Sequence, residues 1–358
     1  MIATHSRRLE KGINTQRPDV DERAGPFSAA SGVADSMEQD GAIAGPRIRV
    51  GISGWRYPAW RGIFYPERLA QRLELRYAAS VFSTVEINGS FYSLQAPNNW
   101  RRWHAETPDD FMFSVKGPRF ITHMLKLRNV TQPLANFFAS GLLALNEKLG
   151  PILWQFPPFM HFDLGRFEAF MGILPRDTAS ALTLARRRHR RMYGRSHLAI
   201  DMPRPLRYAI EIRHASFLDE RFIAILREHN VALVIAETAQ KWPMPHDVTA
   251  DFMYVRLHGD RDLYRSGYGV VALTRWAERI AAWHAGEEPA HCARGAVHIG
   301  TLPVPIRAGG RDVFCYFDNT DAKLRAPADA RTLMRRLKLI GRACYIHKSS
   351  RGGPQQKP

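Results

Sequence analysis

Three acids and three bases stand at alternate positions near the carboxyl ends of short apolar runs. The runs are Thr84-Val85-Glu86-Ile87-Asn88, Phe113-Ser114-Val115-Lys116, Ile210-Glu211-Ile212-Arg213, Met253-Tyr254-Val255-Arg256-Leu257-His258 and Phe314-Cys315-Tyr316-Phe317-Asp318. Successive side chains of a strand point to opposite faces. Met253, Val255 and Leu257 therefore share one face, and Tyr254, Arg256 and His258 share the other. The same alternation puts Glu86, Lys116, Glu211, Arg213, Arg256 and Asp318 on one common face. Paired carboxylates serve as general acid and base. Arginines grip phosphate or carboxylate bidentately. A lysine at a strand end can give a proton or form an imine. The expected catalytic set is Glu86, Lys116, Glu211, His258 and Asp318. The expected substrate-binding set is Trp55, Tyr57, Asn88, Tyr92, Gln155, Arg213, Arg256 and Asn319.

Each reading has a structural alternative. The charges could form a balanced network that only keys the strands together, and Lys116 could be one member of a salt bridge. Each unpaired buried ion costs several kcal/mol, which weighs toward function for the cluster as a whole. Glu86, Glu211 and His258 could hold a divalent ion. No HxH or HExxH spacing supports this, and Lys116, Arg213 and Arg256 would repel the ion, so a metal is not favoured and the cofactor stays open. The aromatic group Trp55, Tyr57, Trp60, Phe64, Tyr65, Phe91 and Tyr92 could stack on a sugar or a base, or simply wall the pocket. His123 and His214 rank second as site residues. His104, His161 and His197 read as surface or capping residues.

Strand-like runs near 48–53, 83–88, 111–116, 152–156, 208–213, 231–236, 252–257 and 313–318 must position these groups. Helix-like runs lie between most of them: Leu69 to Ser80, Leu134 to Leu149, Arg166 to Leu174, Asp219 to His229, Thr274 to His284 and Asp329 to Leu339. This alternation predicts an α/β fold, a TIM-type (β/α)8 barrel with its chemistry at the carboxyl ends of the strands. A doubly wound nucleotide fold would need a glycine-rich turn after its first strand. Gly51-Ile52-Ser53-Gly54-Trp55 does not supply GxGxxG, and no P-loop is present. The barrel domain is expected over 47–345, between a disordered leader at 1–46 and a disordered tail at 346–358. Two stretches exceed what a barrel needs, 176–207 and 285–312, and read as lids or oligomer contacts.

The chain of 358 residues is 45% hydrophobic, enough for a large core, and carries a net charge of +17. The excess is dense at Arg186-Arg187-Arg188-His189-Arg190-Arg191, with Tyr193 nearby. That run reads as a solvated helix face or, in the alternative, as a nucleic-acid contact of a binding protein or metal-dependent nuclease. A non-catalytic sensor or scaffold is a third reading. Cys292, Cys315 and Cys344 are too dispersed for a zinc or disulfide framework, consistent with a cytosolic location. No apolar run approaches the length of a membrane span.

The order of several blocks resembles the YecE-like family, domain of unknown function 72. These are Gly51-Ile52-Ser53-Gly54-Trp55 through Tyr65-Pro66, Val85-Glu86-Ile87-Asn88 with Phe91-Tyr92, Phe113 to Lys116 with Ile121-Thr122-His123, Trp154-Gln155-Phe156-Pro157-Pro158, Glu211-Ile212-Arg213-His214, Tyr254 to Gly259, and Tyr316 to Thr320. The resemblance spans about 48–340 and implies a TIM-type barrel with no established reaction. It implies an Asp after the sixth strand, where this chain has Glu237.

Overall fold

The computed structural model describes residues 45–289, 295–300, 309–319 and 324–340. Eight parallel strands close into a barrel: β1 (Ile48–Ser53), β2 (Thr84–Ile87), β3 (Met112–Lys116), β4 (Leu149–Gln155), β5 (Tyr208–Glu211), β6 (Ala232–Glu237), β7 (Phe252–Leu257) and β8 (Asp312–Phe317). β1 pairs with both β2 and β8, which seals the ring. The sequence-based strands match these to within a few residues. The expected tail and residues 1–44 of the expected leader lie outside the described residues.

Helices cover the outside: α1 (Glu74–Val81), α2 (Pro97–Ala105), α3 (Thr131–Ala139), α4 (Leu164–Ile173), α5 (Thr178–Arg186), α6 (Glu220–Glu228), α7 (Val270–His284) and α8 (Ala326–Arg336). Aspartates start three of them. The Asp163, Asp177 and Asp219 side chains accept from backbone N–H groups of the first turn, satisfying donors that a helix start leaves open. α6 shows the outer packing logic: Phe222, Ile223, Ile225 and Leu226 form one stripe and are buried against the barrel.

One expected helix is cut short. The run Leu134 to Leu149 is α-helical only to Ala139, continues after a break as a 3-10 helix over Leu142–Lys148, and Leu149 already belongs to β4. Gly141 breaks it by taking φ 111°, where a Cβ would come within 2.9 Å of Pro97. The β6–β7 crossover carries no helix among the described residues. Its Met244–Pro245 pairs with Ala296–Val297 instead.

The strand alternation sorts the core into two parts. Leu233, Ile235, Met253 and Val255 face outward into the helix layer. Ala232, Val234, Ala236, Phe252, Tyr254, Phe314 and Tyr316 fill the barrel interior. Gly51 belongs to this interior, and a Cβ there would sit 2.0 Å from the Thr84 carbonyl oxygen. Above the aromatic layer the filling turns polar. The Tyr316 hydroxyl bridges Thr84 Oγ1 and Ser114 Oγ, each at 2.7 Å.

The stretch 176–207 joins the end of α4 to the start of β5, on the amino-terminal side of the barrel. It is therefore no lid over the mouth. α5 packs on α3, and the His189 amide donates to Asn136 Oδ1 at 2.8 Å. Much of 285–312 lies outside the described residues.

Candidate functional site

The polar layer at the carboxyl ends of the strands is organised around Arg256, which is fully buried. Its Nε and Nη2 donate to the two oxygens of Glu86 at 3.0 and 2.8 Å. Nη1 donates to Glu211 Oε2 at 2.6 Å and to His258 Nε2 at 3.2 Å, while Nη2 also reaches Asp318 Oδ2 at 3.0 Å. A guanidinium has five N–H donors, and all five are engaged. Glu86 is equally saturated. Ser53 Oγ and the Tyr254 hydroxyl add bonds of 2.6 and 2.7 Å, filling its four acceptor positions.

This changes the expected roles of two residues. Glu86 has no free oxygen with which to take a proton from a substrate. Arg256 has no free N–H with which to grip an anion. Together they act as the keystone of the mouth. The guanidinium also occupies the point where Glu86, Glu211 and Asp318 converge, the place a divalent ion bound by these acids would take. Among the described residues, no cluster of three or more His, Cys, Asp or Glu side chains has a metal-binding arrangement.

His258, the next inward residue after Arg256, is also buried. Arg256 can only donate, so His258 Nε2 accepts and its proton sits on Nδ1. Burial and the Arg256 charge lower its pKa, with Asp318 opposing them, which keeps the ring neutral. Nδ1 lies 3.1 Å from Asp318 Oδ2.

Glu211 bridges two arginines. Burial works to raise its pKa, but Arg213 and Arg256 outweigh burial and hold it far below the ordinary carboxylate range. Arg213 donates from Nε to Glu211 at 2.8 Å and from Nη2 to Gln155 at 3.1 Å and Tyr264 at 3.2 Å. Its guanidinium carbon lies 3.9 Å from the centre of the Trp242 ring. Nη1 has no partner among the described residues.

Lys116 is the exception in this paired layer. Its side chain lies on the inner face at the end of β3 and is 8% exposed. No carboxylate lies within ion-pair distance of its Nζ among the described residues. Its Nζ sits over the Phe91 ring, 4.3 Å from the ring centre. Burial and Arg256 lower its pKa from 10.5 to about 8, while Glu86, Glu211 and Asp318 hold it from falling further. Three carboxylates face two paired guanidiniums, and the Lys116 ammonium balances the remaining charge. His123 stands near by. Burial, Lys116, Arg213 and Arg119 push its pKa down to about 4, so it is neutral at pH 7.

The barrel, the strand order and the ordered motifs converge with a match of residues 49–354 to the family model described as protein of unknown function DUF72. The chain belongs to the DUF72 family. This DUF72 protein is 26% identical over 246 residues to the UPF0759 protein YecE of Escherichia coli K12, covering 68% of this chain and 84% of that one. It is 30% identical over 117 residues to the UPF0759 protein YunF of Bacillus subtilis, covering 31% and 40% of the two chains. A DUF72 family structure from Thermotoga maritima aligns with a TM-score of 0.60 at 22% identity, over 81% of this chain and 99% of that one. One from Enterococcus faecalis aligns with a TM-score of 0.54 at 16% identity, over 87% and 100%. At these identities the two structures establish a shared fold.

The remaining expected site residues of this DUF72 chain scatter. Gln155 is in the mouth, holding Arg213. Asn319 turns away: its amide donates to Asp329 Oδ2 at 2.9 Å and to the Ser266 carbonyl, tying β8 to α8. Trp55, Tyr57 and Asn88 line a separate rim cleft of about 260 Å³. Trp55 packs edge-on to Trp103 at 5.3 Å, and the Tyr57 hydroxyl donates to the Ser53 carbonyl at 2.6 Å. Asn88 Oδ1 is buried with no partner among the described residues. Tyr92 projects outward, 71% exposed. His214 caps a short turn through Ser216 and stacks on His161. Glu237 lies on the outward register of β6, outside the mouth, in a cavity of about 340 Å³ that Trp242 also lines.

Sequence reasoning missed Ser53, Tyr264, Trp242 and the Lys116–Phe91 contact. Ser53 was legible, since it alternates with Gly51 at the end of β1. Tyr264 and Trp242 lie in loops, where no periodicity marks an inward side chain.

Among the described residues no helix is long and apolar enough to cross a membrane. Arg186, Arg187, Arg190 and Arg191 are exposed at the end of α5 and just after it, and Arg188 lies 4.7 Å from the centre of the Tyr193 ring.

Proposed function

We propose that this barrel mouth is the active site of an enzyme that performs acid–base chemistry on a small anionic substrate, phosphorylated or carbohydrate-like. The observation that carries the reading is Lys116: a buried ammonium without a carboxylate partner, in a layer where the other cations are paired. Sequestering such a charge without a direct partner disfavours folding, and a ligand whose anion contacts the ammonium directly relieves part of that cost.

Three unsatisfied atoms define the roles. Arg213 Nη1 and Lys116 Nζ supply donors for a phosphate or carboxylate. Asp318 Oδ1 has no partner among the described residues, because only Oδ2 meets Arg256 and His258. Burial works to raise its pKa, but Arg256, His258 and Lys116 outweigh it, so Asp318 stays ionised and can accept from a substrate hydroxyl. Lys116, near pKa 8, is placed to give a proton to the reacting group and retrieve it later. Glu86, Arg256 and Glu211 hold these groups in position.

Thermal unfolding of the full chain with a panel of sugar phosphates and inorganic phosphate tests this. The expected result is a rise in Tm with at least one phosphate that is lost in Lys116→Met and reduced in Arg213→Lys. A ligand response that survives intact in Lys116→Met overturns the reading.

The exposed arginines of the Arg186–Arg191 run support a second reading, a nucleic-acid contact on the α4–β5 connection. It calls for oligonucleotide binding that weakens steeply with salt and with Arg187, Arg188, Arg190 and Arg191 changed to Ala. No binding at low salt removes it.

A further inference from the structure

Beside Lys116 the loops after β2, β3 and β4 build a continuous run of rings. Tyr92 meets Phe91 edge-on at 5.1 Å, Phe91 meets His123 at 5.0 Å, and His123 meets Phe159 at 6.3 Å. The run begins above the Lys116 ammonium and ends at Lys126, whose Nζ lies 5.1 Å from the centre of the Phe159 ring. Unlike the rings of the first loop, several of these face solvent. Tyr92 is 71% exposed and Phe159 55%, and Phe120 beside the run is 46% exposed.

The backbone that carries this run is unusual. Phe120–Met124 winds as a π-helical turn, a form that concentrates at functional sites. Directly after it, Lys126, Leu127 and Asn129 all take left-handed conformations, at φ 49°, 66° and 52°. Non-glycine residues persist there only when surrounding contacts over-determine them. Leu127 is buried, anchoring the turn that sets His123 between Phe91 and Phe159. The charges around the run are positive: Lys116, Arg119 and Arg213 all depress His123.

Exposed rings joined to a cationic pocket match a ligand with two parts, a flat ring and an anion. Rings stack on aromatic side chains, and the anion meets the lysine and arginine. We propose that the Tyr92–Phe91–His123–Phe159 run is a ring-binding platform, and that the substrate of the adjoining mouth is a phosphate ester bearing a planar ring, of nucleotide type. This rests on the mouth reading for the phosphate half only. The ring half stands on the platform.

Calorimetric titration of the full chain with three probes separates the halves: adenosine 5′-monophosphate, ribose 5-phosphate and adenosine. The nucleotide is expected to bind roughly ten-fold more tightly than the baseless sugar phosphate, the usual scale of one stacked base. Phe159→Leu and the exposed-site variant Tyr92→Ser should each shrink that advantage and leave ribose 5-phosphate binding as in the wild type. Equal affinity for the two phosphates, or a base preference untouched by both variants, overturns the platform. Adenosine binding that depends on Phe159, without any contribution from phosphate, keeps the platform and overturns the mouth reading. Binding of none of the three overturns both.

Discussion

Arg256 and Glu86, 170 residues apart in sequence, form a two-point ion pair in which neither partner keeps a free polar atom. The pair sits over the Tyr254–Tyr316 layer, with Tyr254 and Ser53 completing Glu86 from below and beside. Its geometry makes it the anchor that sets where Glu211, Asp318 and His258 stand. Two saturated charges in a dry interior are costly to separate, because removing one leaves the other without compensation.

Arg256→Met should therefore destabilise the fold by roughly 3–5 kcal/mol, since three buried carboxylates lose their shared counter-ion. Adding Glu86→Gln to that variant should recover part of the loss. Urea unfolding of the two single variants and the double variant measures the coupling. Additive losses would show that the pair is not the anchor described.

Lys116→Met should have the opposite sign. The fall in pKa from 10.5 to about 8 corresponds to a folding penalty of up to about 3 kcal/mol. The folded pKa lies below the unfolded one, so the penalty is full below pH 8, fades as pH rises, and is gone above about 10.5. Lys116→Met is expected to be more stable than wild type at pH 7, with the difference narrowing toward pH 10. Chemical denaturation across that range checks it. A less stable Met variant would mean that Lys116 has a hidden structural partner.

Glu237 supplies a second titration outside the mouth. Burial raises its pKa to about 7, with Asp260 adding to the effect and the Ala239 amide opposing it. The folded carboxyl holds its proton longer than the unfolded one, so the cost of ionising it begins above pH 4.5 and is full above 7. Glu237→Gln should match wild type near pH 4.5 and exceed its stability at pH 8 by up to about 3 kcal/mol. Equal pH profiles for the two proteins would contradict this.

The arginine run belongs to the α4–β5 connection beside α3 and contributes no residue to the mouth network. Changing Arg187, Arg188, Arg190 and Arg191 to Ala should leave any phosphate-induced Tm rise unchanged. A lost response would place the run in the mouth's ligand path.

Much of the barrel could be read from the chain because strand geometry is local. A side chain two positions from an inward one also faces inward, so Glu86, Lys116, Glu211, Arg256 and Asp318 could be assigned to one face without knowing their neighbours. The helix after residue 131 was less legible, because Gly141 ends it through a close approach to Pro97 that no local pattern announces. Alternation assigned a face and could not assign partners. Closure of β1 against β8 and the registers around the ring decided that Arg256 would be surrounded by three acids, that Glu86 would be saturated, and that Lys116 would be left over. Those pairings join residues far apart in sequence. Their energies depend on distances of about 3 Å and on exclusion of water, quantities that exist only once the ring has closed.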